Sequence, residues 1–300
     1  MLKNISTIFY DIMFGDINAN IPMSKLETKV LEKVSAILNN PTSLSTHIPT
    51  LPAMLVRLLN AIDNPDSSVQ SFVEIIEQDP AFALAVLKTA NSALYHRGEK
   101  EIVSLNRAIT FLGLTGLLQI ATTLLMAKVI PSKPIYYAMF GKQIWLHSVQ
   151  CATLCELLAS KQDENAFDAY FLGLIHDLGK VIIFDCLSKA LAEEISSLPG
   201  TTIFKKLMTK MSLNISYLIS IEWKLPKIYC EALEQQQTKP TSTLAVLLYN
   251  ANQLGELYLM VNKGVISNAE CKKMITKKAI DEDIWLNFTN IAPEIERNLI

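Results

Sequence analysis

Apolar residues recur every third or fourth position through most of this chain, and alternating apolar–polar runs, the mark of a half-buried strand, are essentially missing. Leu51, Leu55, Leu58, Leu59 and Ile62 share one helical face, and the helix that carries them stops near Asn64-Pro65. The same spacing recurs over 134–160, 164–176, 178–195, 201–223, 226–236, 242–262, 267–278 and 281–298. Helices of this kind must each bury an apolar stripe against other helices, so the expected fold class is all-α. Composition points the same way. Gly and Pro are scarce, at 10 and 12 residues of 300, while 50% of residues are apolar. A chain this long buries roughly three-quarters of its unfolded surface, so neither a disulfide nor a structural metal is needed to hold the core.

Local punctuation sets several helix ends. Ser24 and Glu27 form a capping box that opens a helix running to about Asn39. The polar run NNPTSLSTHIPT that follows is expected to be a loop and the best candidate boundary. Asp79 caps the next clear helix, with Pro80 at its first position. That helix buries Phe82, Val86 and Leu87, and ends near Asn91-Ser92, whose side chains can bond free carbonyls.

Other features exclude function classes. Net charge is −2, from 27 basic and 29 acidic residues, which provides no field to gather nucleic acid or an anionic membrane. The basic pairs Lys272–Lys273 and Lys277–Lys278 lie near Glu270 and Asp281 and read as a solvated helix face. Five cysteines without a CxxC spacing suit a reducing compartment, hence a cytoplasmic location. The first residues carry Asp11 within an apolar stretch and lack a small-residue cleavage site, unlike a signal peptide. Ala108 to Ala127 has no charged residue and is long enough to span a bilayer. Gly113 and Gly116 divide it, and Gln119, Thr122 and Thr123 would meet hydrocarbon, so two consecutive buried helices are the better reading.

From about Thr50 the chain resembles the HDOD (HD-related output domain) family. The likeness begins with LPAMLVRLLNAIDNPD at 51–66 and continues through Asp79-Pro80, Val86-Leu87, Ala90-Asn91-Ser92-Ala93 and Tyr95. Ile102, Ser104-Leu105, Ala108-Ile109 and Leu112-Gly113 follow, then Trp145 to Ser148, GLIHDLGK at 173–180 and Trp223-Lys-Leu-Pro226. These blocks keep the family's order and spacing over about two hundred residues, which is more specific than any one of them. The resemblance implies an HDOD domain over 44–262, with a helical N-terminal half (44–133) packed on a half related to HD-domain phosphohydrolases (134–262). Residues 1–43 would be a helical extension, and 263–300 helices packed on the HD-like half. It also implies an output or interaction module of bacterial signal transduction, usually without demonstrated catalysis.

In HD enzymes, a His on one helix, an adjacent His-Asp pair and a distant Asp hold a divalent ion that activates water against a phosphate ester. His147, His176 and Asp177 match the first three positions, and Lys180 matches a common phosphate contact. Adjacent helical residues diverge by about 100°, so a His-Asp pair can flank one ion from two sides. The remainder departs from the pattern. Asn252 stands where the distant Asp belongs, Gln235–Gln237 replace a His pair, and Ser212 replaces the His eleven residues before Trp223. The GYP loop of cyclic-di-GMP phosphodiesterases is absent. Three readings of the degenerate pocket His147, His176, Asp177, Lys180 and Asn252 stand side by side. They are a mutually satisfied polar cluster, a weak divalent-metal site on His147, His176 and Asp177, or a working phosphohydrolase centre. Cys151 and Cys155 follow His147 on one helix face, as soft zinc ligands or as small core residues. Cys186, Cys230 and Cys271 read as packing, Trp145 and Trp223 as core anchors, and His47 and His96 as exposed loop residues.

The missing ligands favour a non-catalytic regulatory module with no cofactor. Asn91, Ser92, Tyr95 and Arg97, at and beyond a helix end, form the expected interaction surface, with the helix around Leu26 to Leu38 beside it. With no receiver signature, and too few residues before position 44 for one, the module is expected to act in trans. Its partner would be a sensor kinase, a response regulator or a diguanylate cyclase. The alternatives are a metal-dependent phosphohydrolase of a nucleotide or cyclic dinucleotide, and a small-ligand sensor that uses the former catalytic pocket with Lys180 as anion contact.

Overall fold

A computed structural model of the chain describes residues 8–14, 21–96, 98, 100–130, 135–193, 199–277 and 280–299. Among these residues every regular element is an α-helix. The first segment contributes α1 (Ile8–Phe14), α2 (Lys25–Leu38) and α3 (Pro41–His47). A first half follows with α4 (Ala53–Asp63), α5 (Val69–Glu77), α6 (Pro80–Ala90) and α7 (Leu105–Ala127). The second half holds α8 (Ile135–Ala159), α9 (Ala166–Ile175), α10 (Leu178–Glu193), α11 (Thr202–Glu222), α12 (Lys227–Gln235) and α13 (Thr243–Asn262). Two helices, α14 (Asn268–Lys277) and α15 (Glu282–Leu299), close the chain.

The local signals act as their chemistry requires. The Ser24 hydroxyl accepts from the Glu27 amide at 3.2 Å, and Glu27 accepts from the Ser24 amide at 2.8 Å. Asp79 accepts from the Phe82 amide at 3.0 Å to start α6. The polar run after Asn39 is not all loop: Asn40 caps Ser43 at 3.2 Å, Pro41 sits in the first turn, and α3 results. The charge-free segment breaks where glycine permits it, at Gly113 with φ +73°, a left-handed conformation that a side chain would strain. Leu117, Leu118, Ile120, Ala121 and Thr122 beyond the break are buried against protein. Leu105–Ala127 is thus long and apolar enough for a membrane, but its burial is that of a core helix.

α8 runs through the middle of the second half, packed on α9, α10, α13 and α15. Two glycines let its surroundings approach to backbone contact. A Cβ on Gly173 would stand 2.6 Å from Ala152 Cα, and one on Gly179 would stand 2.0 Å from the Ser212 carbonyl oxygen. These glycines bracket His176 and Asp177, so the close packing of α9 on α8 and of α10 on α11 sets where both side chains point.

α2 lies against α10 and α11 and buries Leu26, Val30, Leu31, Val34 and Ile37. The Glu27 carboxylate also accepts from the Gly200 and Thr201 amides, both at 2.8 Å, at the start of α11. The apolar face of this helix is covered by the chain itself, and Lys25, Thr28, Glu32 and Ala36 on the other side are exposed. Trp223, half-buried, anchors differently from a core residue: its indole donates to the Pro49 carbonyl at 2.8 Å and ties the segment before α4 to the second half. His96, expected to be exposed, is buried with Nε2 2.9 Å from the Lys100 carbonyl oxygen, and His47 is half-buried against Ser43.

The Gly179 contact makes a sharp prediction. Gly179→Ala should lower unfolding stability by about 1–3 kcal/mol, because a methyl at that point meets a carbonyl oxygen rather than a flexible side chain. Urea melts that leave the midpoint unchanged would contradict the close α10–α11 approach.

Candidate functional site

The loop between α9 and α10 carries His176 and Asp177, α8 brings His147, and α13 brings Asn252. All four converge. His147 Nε2 lies 2.9 Å from Asn252 Oδ1, and His176 Nε2 lies 3.3 Å from the same oxygen. Asp177 reaches His147 at 3.6 Å, His176 at 3.3 Å and Lys180 Nζ at 2.5 Å. The ring of His176 is oriented from behind by its Nδ1, 2.7 Å from the Gly173 carbonyl oxygen.

Burial and charge decide the protonation states. Burial penalises the Asp177 carboxylate, but His176, Lys180 and His147 outweigh it and bring its pKa down to about 2. Burial also opposes charge on His176, yet Asp177 and Cys151 beside it raise the pKa to about 9. As an imidazolium, His176 donates from both nitrogens, toward Gly173 on one side and the Asp177–Asn252 oxygens on the other. His147 goes the opposite way: burial lowers it to about 3, so it is neutral, and its Nδ1 has no hydrogen-bond partner. The cluster is a closed set of opposite charges in which Asp177 faces two cations.

One ligand atom each from His147, His176 and Asp177 lies within 4.8 Å of the others, a spacing that fits one ion. Two imidazoles and one carboxylate suit a transition metal better than Mg²⁺ or Ca²⁺, which favour several oxygens. At the fourth position a neutral amide replaces a carboxylate, and His147 lacks the outer partner that normally orients a ligating imidazole. The glutamines in place of the His pair face elsewhere. Gln235 accepts from the Thr241 and Ser242 amides, and Gln236 donates to the Ala232 and Ala245 carbonyls, so both shape the α12–α13 turn. Cys151 and Cys155 are buried thiols, and burial pushes Cys151 well above the usual range.

Two contributors were not singled out from the sequence. α1 lies over the cluster. Its Phe9 ring is 5.7 Å from the His147 ring and 4.1 Å from Lys180 Nζ. Tyr10 sits beside Ser212 without a well-directed hydrogen bond, and Asp11 pairs with the buried Lys205 at 2.6 Å. The second is Glu256, one turn beyond Asn252 on α13. Burial is the main force that raises its pKa to about 8, helped by Asp177 and opposed by Lys180. A lone Glu in the apolar run LLYNANQLGELYLM is the signal that would have found it.

The expected interaction surface is differently arranged. Asn91 donates to the Leu87 and Ile102 carbonyls at 2.9 and 2.8 Å and accepts from the Ile102 amide at 2.8 Å, which fastens the loop after α6. Its amide is turned inward, toward the loop it fastens. Ser92 and Tyr95 are half-buried and line a cleft. Arg97 lies outside the described residues.

The HDOD domain family matches residues 48–239 of the chain. An uncharacterized protein of Treponema pallidum (strain Nichols) is 31% identical over 137 residues, 45% of this chain. The match spans 26% of that relative, about a quarter of its length. Among solved structures, a candidate metal-dependent phosphohydrolase of Shewanella amazonensis SB2B superposes with a TM-score of 0.64 at 21% identity, over 92% of this chain and 100% of its own. An HDOD domain protein of unknown function from Geobacter sulfurreducens gives 0.62 at 18%, over 92% and 98%. A candidate signal transduction protein of Marinobacter aquaeolei VT8 gives 0.59 at 16%, over 95% and 68%. At these identities the likeness establishes the fold.

Two outcomes test this electrostatic account. Asp177→Ala leaves Lys180 and His176 buried without their anion, and should cost about 3–5 kcal/mol in urea melts while the pKa of His176 drops. Glu256 is neutral when folded at pH 7 but ionised when unfolded, so wild type loses stability as pH rises from the ordinary carboxyl value of 4.5 toward 8. Glu256→Gln should match wild type near pH 4.5 and surpass it by pH 8, the gap widening by up to about 1.4 kcal/mol per pH unit. Parallel pH–stability curves would remove Glu256 from the buried cluster.

Proposed function

Because the chain belongs to the HDOD domain family, we propose that it is a signalling module that works by binding other proteins and does not hydrolyse phosphate esters. The observation that carries this reading is the position of α1: Phe9 packs 5.7 Å from the His147 ring and 4.1 Å from Lys180 Nζ, the residue that matches the family's phosphate contact. A hydrolytic metal centre keeps an open coordination position and a path for the ester. In this chain the Asn252 amide bonds His147 where the resemblance places a fourth carboxylate, and α1 packs on the His147 ring. The protein-binding role draws support from the first half, where Leu84, Val103 and Phe111 expose 68%, 68% and 56% of their surface. A sensor kinase, response regulator or diguanylate cyclase, met in trans within the cytoplasm, is the class of partner this module would serve. Asn91 fastens Ile102, the neighbour of Val103, to the end of α6.

A second reading has its own observation: the three donor atoms within 4.8 Å favour one transition-metal ion with a structural role. One assay separates the possibilities. The purified chain and its Phe9→Ala variant are supplied with Mn²⁺, Fe²⁺ or Mg²⁺ and offered bis(4-nitrophenyl) phosphate and a cyclic dinucleotide, with metal content measured alongside. Neither protein should turn over substrate. One ion per chain without turnover would support the structural-metal reading, whereas turnover that disappears in His176→Ala would overturn the proposal. The docking face is tested by co-purification from the source cells. A folded Leu84→Asp/Phe111→Asp variant should lose the partners, and their retention would place the face elsewhere.

A further inference from the structure

A cleft of about 340 Å³, lined by none of the HD-cluster residues, opens where the first half, the second half and the last helix meet. Its walls come from α6 (Ala85, Lys88, Thr89), the turn after it (Ser92, Leu94, Tyr95), α7 (Thr123, Leu124), α8 (Val149) and α15 (Asn298). The volume falls near the lower end of small-molecule pockets, about 300–1,000 Å³. Ala85, Leu94, Leu124 and Val149 make an apolar body. Hydroxyl groups of Thr89, Ser92, Tyr95 and Thr123 interrupt it, and the one charged lining residue among the described residues is Lys88, exposed near the end of α6. The polar side is ordered rather than loose. Thr123 Oγ1 is 2.7 Å from the Tyr170 hydroxyl, and the Tyr95 phenol, which burial raises to about 12, adjoins Tyr170 in turn. Ser92 adds a buried hydroxyl with no hydrogen-bond partner, a group that normally finds one.

We propose that this cleft binds a small amphipathic carboxylate, its apolar body between Leu94, Leu124 and Val149 and its anionic end at Lys88. The chemistry of the lining selects this class. Among the described residues, no second lining cation answers the extra charge of a dianionic phosphate ester, and no lining carboxylate would hold a cationic ligand against Lys88. The hydroxyl side accommodates one further polar group on the ligand. Since the walls belong to three segments of the chain, an occupant would fasten them to one another. This inference is independent of the HD pocket and of whether that pocket binds metal.

The test uses the full chain and octanoate as probe, with octanamide as its uncharged counterpart. Methyl resonances of Leu94, Leu124 and Val149 should shift and saturate with millimolar or lower octanoate. Octanamide should bind about two- to fivefold more weakly, the contribution of an exposed charge pair. Lys88→Gln should abolish that difference, and Ala85→Trp should abolish binding of both. If Ala85→Trp fails to fold, the wild-type methyl titration decides alone. No shift of these methyls at saturating probe, equal binding of acid and amide, or undiminished binding to folded Ala85→Trp would each overturn the proposal.

Discussion

At the centre of the second half, the Asp177 carboxylate is held among Lys180, His176 and His147, all almost completely buried. Removing such charges from water is costly, and the arrangement persists only because each is answered by an opposite charge or a hydrogen bond. That requirement dictates much of the packing around it. Gly173 and Gly179 let α9 and α10 approach α8 and α11 closely enough to aim the His-Asp pair inward, and the Gly173 carbonyl holds the His176 ring in place. Asn252 completes the set with a neutral oxygen shared between two imidazoles. A second carboxylate there would have changed the charge balance, and with it the affinity for a cation.

The first segment is integral to this core. α1 places Phe9 over the Lys180 ammonium, where the electron-rich ring face offsets part of the lost hydration. Asp11 answers Lys205, itself 2% exposed. Glu27 ends its own helix's unsatisfied amide at Ser24 and at the same time receives the first amides of α11, across more than 170 residues of chain. Such a carboxylate at two helix N-termini is favoured by both dipoles. The segment thus packs directly on the His147–Lys180 side of the cluster.

The chain belongs to the HDOD family, and it shares its helical architecture with solved proteins whose names point to signalling and to phosphohydrolysis. A shared fold carries neither activity with it. The local chemistry of this chain is an amide beside two imidazoles, glutamines turned to a helix connection, and a short helix packed on His147 and Lys180.

Helical periodicity and end signals were legible from residues alone. Ser24 with Glu27, Asp79-Pro80 and Gly113 mark real boundaries because capping and left-handed backbone are decided within a few residues. α3 escaped notice because its Pro, Thr and Ser residues read as a loop, although Asn40 and Pro41 suffice to start a turn. The likeness to HDOD proteins located His147, His176, Asp177 and Asn252, as motifs in fixed order can. The roles of Phe9, Asp11, Glu27 and Glu256 were not legible, nor was the inward turn of Asn91, because each depends on a partner distant in sequence or on another element's burial. The sequence by itself determined which segments are helical, where they cap and which polar residues they carry. Only the tertiary structure decided which of those polar residues meet and in what charge state, because burial and Coulomb interaction depend on distance through space, which spacing along the chain does not set.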